Sequence, residues 1–174
     1  TVAPISAEQL MPAQMKFIEL FEDARVEYLA IRDFPGLRKL WLGILTAPLR
    51  AQDEPVELHP MMDLMLRLAQ ALLDPDYRDA WPLINENADA FRAACAQGAQ
   101  DNRISWDAGV TLYNQVVQQL HLPNLRVLEN WPIPYRDDNR YVWAFDENRF
   151  LSQGIDYLPG SQTQVRKYVT AMEL

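Results

Sequence analysis

Residues 17–42 constrain this chain more than any other stretch, because a long amphipathic repeat ends there at an abrupt Phe34-Pro35-Gly36 break. Placed at 100° per residue, Phe17, Leu20, Phe21, Ala24, Tyr28 and Ile31 fall within about 100° of one another, a core-facing stripe. Ile18, Val26 and Leu29 define a second side, with Glu22 and Arg25 set among them. Three residues apart, those two side chains meet on one helix face. A charge with apolar neighbours is partly desolvated and needs a partner. The segment therefore predicts a helix with one core-facing stripe and a Glu22–Arg25 pair partly sunk among apolar neighbours just ahead of the break.

The rest of the first two-thirds also reads as helices. The first helix is expected over 6–33, with Ser6 as N-cap and Pro12 starting or bending its regular part. Pro35 suits the first turn of a second helix reaching about residue 51, with Pro48 placed to shorten it. Residues 53–60 read as a connection and 61–73 as a third helix. Residues 74–77 read as a turn, and 79–97 as a helix with a break near Pro82 and a stop at Gly98. A fifth helix opens at Ser105 and ends near His121 and Pro123. Beyond it, Pro132, Pro134 and the cluster 137–139 interrupt helical periodicity. Residues 126–129 and 140–145 read as short strands around a turn, and 164–174 as a last short helix.

The expected fold class is mainly α: a bundle of about five helices with a short β-hairpin or an irregular aromatic C-terminal segment. The expected organisation is a bundle over 1–125 and an extension over 126–174 packed on it. The chain of 174 residues starts at Thr1 without a methionine, so a piece of a longer protein is expected.

Composition narrows the function classes. The net charge of −8 argues against nucleic acid or an anionic membrane as principal partner, since phosphates demand a basic surface. The ten-residue near-apolar run 40–49 is too short for a bilayer. One cysteine, Cys95, allows no internal disulfide, which favours the cytoplasm. With two histidines, His59 and His121, far apart in sequence, no metal site is expected. His59 reads as a loop residue and His121 as a helix C-terminal residue suited to the dipole. No serine lies in a nucleophile-elbow pattern, no glycine-rich loop cradles phosphate, and no cofactor is expected. Glu19, Asp23 and Glu27, four residues apart, read as a solvated acidic face. Asp137 and Asp138 read as turn chemistry. The aromatics Trp131, Tyr135, Tyr141, Trp143 and Phe145 are open to three readings: a small sheet packed on the helices, the lining of a ligand cleft, or a contact surface centred on Trp131, Tyr135 and Trp143.

The run Glu22-Asp-Ala-Arg25-Val-Glu27, followed by Arg32-Asp-Phe-Pro35-Gly36-Leu37, resembles a segment of the helical region in von Willebrand factor A proteins that partner MoxR-type AAA+ ATPases. That family includes the nitric oxide reductase activation protein and the Rubisco activase adaptor. The resemblance covers residues 17–42. It implies a non-catalytic, chaperone-like adaptor that acts with an AAA+ ATPase on a target metalloenzyme by protein–protein interaction. In the family a metal-ion-dependent adhesion site with Asp-x-Ser-x-Ser grips the target; this chain has no such motif. For Glu22, Arg25, Glu27 and Arg32 two roles stay open: an internal ion-pair network, or, for Arg25 and Arg32, contact with an acidic ATPase surface. Pro35 and Gly36 form the helix break. The competing expectations are a small acidic ligand-binding or hydrolytic domain using the aromatic segment with Asp146 and Glu147, and a regulatory protein that neutralises a basic partner.

Overall fold

The computed structural model describes residues 4–7, 10–50, 59–121, 123, 133, 136, 139 and 142–144, with backbone alone for 48–50. Five helices carry the fold: α1 (Pro12–Asp33), α2 (Gly36–Arg50), α3 (Pro60–Leu73), α4 (Pro82–Gly98) and α5 (Arg103–Val116). Two strand fragments, β1 (Ile5–Ser6) and β2 (Trp143–Ala144), join the two ends of the described chain. The mainly α expectation holds.

α1 is the central element. It packs most extensively along α5 and also meets α3 and α2, while α3 lies on α4. Its middle is buried on nearly every side, from Phe17 through Glu22. Phe17 meets Tyr113 of α5 edge-on at 6.3 Å between ring centroids, and Phe21 meets Phe91 of α4 at 4.9 Å. α3 adds Met61, Leu64, Leu68 and Ala69, and α4 adds Ile84 and Ala88. Gly109 lets α5 lie close on α1: a Cβ there would stand 2.7 Å from the Ile18 backbone, so only glycine fits.

Local chemistry fixes the helix ends. Helix α1 begins at Pro12 rather than near Ser6, because residues 5–6 are drawn into β1. Pro12 occupies the first helical turn, and Gln14 accepts from the Met11 N–H at 2.8 Å. At the other end Phe34 leaves the helical region (φ −134°, ψ 78°), the α conformation being disfavoured before a proline, and the chain turns into α2. His59 caps α3: its Nδ1 accepts from the Met61 N–H at 3.2 Å. α4 begins at Pro82 itself, so that proline starts the helix instead of breaking it. α5 opens at Arg103 and ends at Val116, leaving His121 exposed beyond the turn that follows.

Strand pairing differs from the expected hairpin. β2 pairs with β1 in parallel, Ile5 opposite Trp143 and Ser6 opposite Ala144. The Ala7 N–H extends the pairing by donating to the Ala144 carbonyl at 3.0 Å. A hairpin requires antiparallel neighbours in sequence; here the partner is the N-terminal stretch. The expected strand 126–129, the helix 164–174 and the boundary at 125–126 lie outside the described residues.

Candidate functional site

The charged motif on α1 divides into an inner part and an outer part. The inner part starts with Glu22 and Arg25, whose side chains are 8% and 4% exposed. Arg25 donates from Nε to Glu22 Oε2 at 2.8 Å and from Nη2 to Oε1 at 2.6 Å, a two-pronged pair. Its Nη1 donates to the Ala99 carbonyl at 2.7 Å, and Ser105 Oγ donates to Glu22 Oε2 at 2.8 Å. Ala99 is the C-cap of α4, and Ser105 lies in the first turn of α5. The cation thus faces a helix C-terminus and the anion a helix N-terminus, the orientation both dipoles favour. The pair is desolvated yet nearly every polar atom has a partner, the condition under which a buried pair persists. Donation to the Glu22 carboxylate holds the Arg25 guanidinium above its ordinary pKa, against the opposing effect of burial. Cys95 packs beside this pair, and burial pushes its thiol up to about 11.

A second inner row corrects an expectation. Glu19, Asp23 and Glu27 are not a solvated face: Glu19 and Glu27 are buried and Asp23 half-buried. Arg136, with a side chain 3% exposed, grips Glu27 through Nε and Nη2, each at 2.9 Å. Its Nη1 donates to the Leu20 carbonyl at 3.4 Å, and Asp23 lies 3.9 Å from Nε. Asn139 donates to Asp23 at 3.0 Å, and its left-handed backbone (φ 50°) suits asparagine. Trp143 Nε1 donates to Glu19 Oε1 at 2.9 Å, while Lys16 reaches Glu19 Oε2 at 2.7 Å. The three carboxylates, one helical turn apart, each hold one residue from far along the chain: Glu27 holds Arg136, Asp23 holds Asn139 and Glu19 holds Trp143. Trp143 is therefore interior, not a contact surface, because its ring covers Ile18 and Met15. Trp131 and Tyr135 lie outside the described residues.

The outer part is Arg32 with the break. Arg32 is 57% exposed and, among the described residues, pairs with its neighbour Asp33 at 3.0 Å. Although Arg25 and Arg32 differ by about 20° on an ideal helix, they do not share an environment. Arg25 lies under the α4–α5 connection, and Arg32 projects beyond it. Phe34, Pro35 and Gly36 are all exposed, and Phe34 shows 67% of its surface.

One arrangement escaped the sequence reading. Asp79 in the α3–α4 connection accepts from Arg67 at 2.6 Å, from the Tyr77 hydroxyl at 2.6 Å and from the Trp81 N–H at 2.8 Å. Asn85 reaches back to both the N–H and the carbonyl of Asp79, at 2.9 and 2.8 Å. Burial and the bond to Asp79 push the Tyr77 hydroxyl up to about 12. The available signal was Asp79 three residues ahead of Pro82, a helix-start pattern.

Among the described residues no group of three or more His, Cys, Asp and Glu side chains is disposed to hold a metal ion. No described helix is long and apolar enough to cross a membrane. Comparison with protein-family models, curated proteins and solved structures finds no match to this chain.

Proposed function

We propose that the chain is a non-catalytic helical interaction module of a cytoplasmic von Willebrand factor A adaptor, acting with a MoxR-type AAA+ ATPase to activate or remodel a target metalloenzyme. The observation that carries the reading is the division of the motif. Glu22, Arg25 and Glu27 point inward and tie α1 to α4, α5 and Arg136. Arg32, Phe34, Pro35 and Gly36 point outward at a corner. An internally braced helix that delivers an exposed corner is what a module needs to transmit force from a motor to a target without deforming. Arg25 belongs to the brace; of the two arginines considered for an acidic ATPase surface, Arg32 is the one that solvent reaches. The ligand-binding or hydrolytic reading draws no support from Trp143, whose indole is taken up by Glu19, and Asp146 and Glu147 lie outside the described residues.

The test is co-purification of the full-length protein with a hexameric MoxR-type ATPase and measurement of ATP hydrolysis on mixing. A stable complex with stimulated hydrolysis is expected. A full-length protein that neither binds nor stimulates any such ATPase contradicts the reading.

A further inference from the structure

The outer face of α2 carries three features that burden an isolated helix. Gly43 stands in the helix interior, where glycine is less stable than alanine. Gly109 has a reason in the backbone of Ile18, whereas a Cβ on Gly43 would meet nothing within 4 Å among the described residues. Leu40 and Ile44 are 57% and 40% exposed. The first turn holds Arg38 and no acidic residue, although the dipole there favours anions.

These features share a geometry. Gly36, Leu40, Gly43 and Ala47 are all exposed and recur at alternating spacings of four and three, the seam of a helix pair, with Ile44 beside Leu40. Small residues at 36, 43 and 47 let a second helix approach closely around Leu40. Charge narrows the occupant. Lys39 borders the seam next to Gly43, and α2 has no acidic residue along its length, in a chain of net charge −8. A helix flanked by carboxylates is attracted at α2 and repelled by the chain's overall charge elsewhere, which fixes where it sits. A second copy packed seam to seam would set Lys39 near its own equivalent, the wrong sign.

We propose that α2 docks an α-helix of another protein through the line Gly36, Leu40, Gly43, Ile44 and Ala47, the incoming helix being apolar along its contact line and flanked by carboxylates. The inference rests on the reading of the chain as an interaction module and names the surface and the chemistry of its partner.

The test titrates the chain with a synthetic amphipathic helix bearing Leu and Ala along its seam and Glu on both flanks, and with the same helix bearing Lys flanks. Binding is read by fluorescence anisotropy of the labelled peptide at low and high salt. Salt-sensitive binding of the Glu helix, weakened at least about tenfold by Gly43→Gln and by Leu40→Ser, is expected. Gly43→Gln does not lower the thermal midpoint of the parent, since its side chain enters open space and glutamine favours the helix over glycine; circular dichroism checks this. No binding of the Glu helix, equal binding of the Lys helix, or affinity unaffected by both substitutions overturns the proposal. So does self-association in sedimentation that Gly43→Gln abolishes, which assigns the seam to a second copy. ATPase binding by the unaltered full-length protein, measured alongside, separates the two readings. Peptide docking without ATPase binding overturns the adaptor reading alone, and ATPase binding without peptide docking overturns the α2 surface alone.

Discussion

Arg25 keeps its charge inside the bundle because three separate acceptors meet it there: both Glu22 oxygens and the last carbonyl of α4. The same charge pair sets the environment of Cys95, but burial dominates and the thiol is pushed up to about 11 from an ordinary 9.0. In the unfolded chain the thiol ionises near its ordinary value, while the folded chain still holds the proton. Between about pH 9 and 11 the unfolded state therefore binds fewer protons, and stability falls as pH rises through that window. Cys95→Ala should flatten this part of the midpoint-against-pH curve, measured by thermal unfolding from pH 8 to 11. The native thiol should also resist iodoacetamide at pH 8 and react on addition of denaturant; rapid labelling of the folded chain would contradict the assigned burial. Ser105→Ala removes one donor to a buried carboxylate and should cost about 1–3 kcal/mol in urea unfolding. None of these partners was legible in sequence. The i, i+3 spacing of Glu22 and Arg25 announced the pair, but Ala99 and Ser105 arrive from 74 and 83 positions away, and no local pattern encodes them.

Helix types and many ends followed from local chemistry, and failures came where tertiary partners overrode it. Pro12 and the pre-proline Phe34 marked true boundaries, whereas Pro82, read as a break within a helix, starts one. The row Glu19, Asp23 and Glu27 looked solvent-facing because charges four apart usually are. Arg136, Asn139 and Trp143 bury it from more than a hundred positions away. Arg136→Ala should leave Glu27 without its two-pronged partner and loosen this attachment. A loss of about 3–5 kcal/mol in urea unfolding is expected, with faster hydrogen exchange at the Ala7 amide, whose partner is the Ala144 carbonyl. Unchanged exchange there would show that the attachment holds without Arg136. The two helix-interior glycines make a contrasting pair. Gly109→Ala drives a Cβ into the Ile18 backbone and should cost about 1–3 kcal/mol. Gly43→Ala enters open space and should stabilise by about 0.5–1 kcal/mol, both read from urea midpoints. Equal effects would mean that α5 does not lie against α1 as closely as described.

For the whole molecule, the fold is a helix braced from two sides. α4 and α5 hold Arg25 and Glu22 on one side, and Arg136, Asn139 and Trp143 hold the carboxylate row on the other. The mainly α class was readable from periodicity, and β2 falls inside the stretch 140–145 read as a strand, but its parallel pairing with β1 was not readable, since β1 is two residues long and lies where a helix start was expected. The motif Glu22-Asp-Ala-Arg25-Val-Glu27 belongs to the frame, and the corner at Phe34 and the outer face of α2 are the surfaces proposed above for partners. Urea unfolding of Arg25→Ala beside the parent chain tests that division most directly. A cooperative transition weakened by about 3–5 kcal/mol is expected, the cost of removing one partner of a buried ion pair. A midpoint that does not move, accompanied by weakened binding to a MoxR-type ATPase, would place Arg25 at an interface and contradict that division.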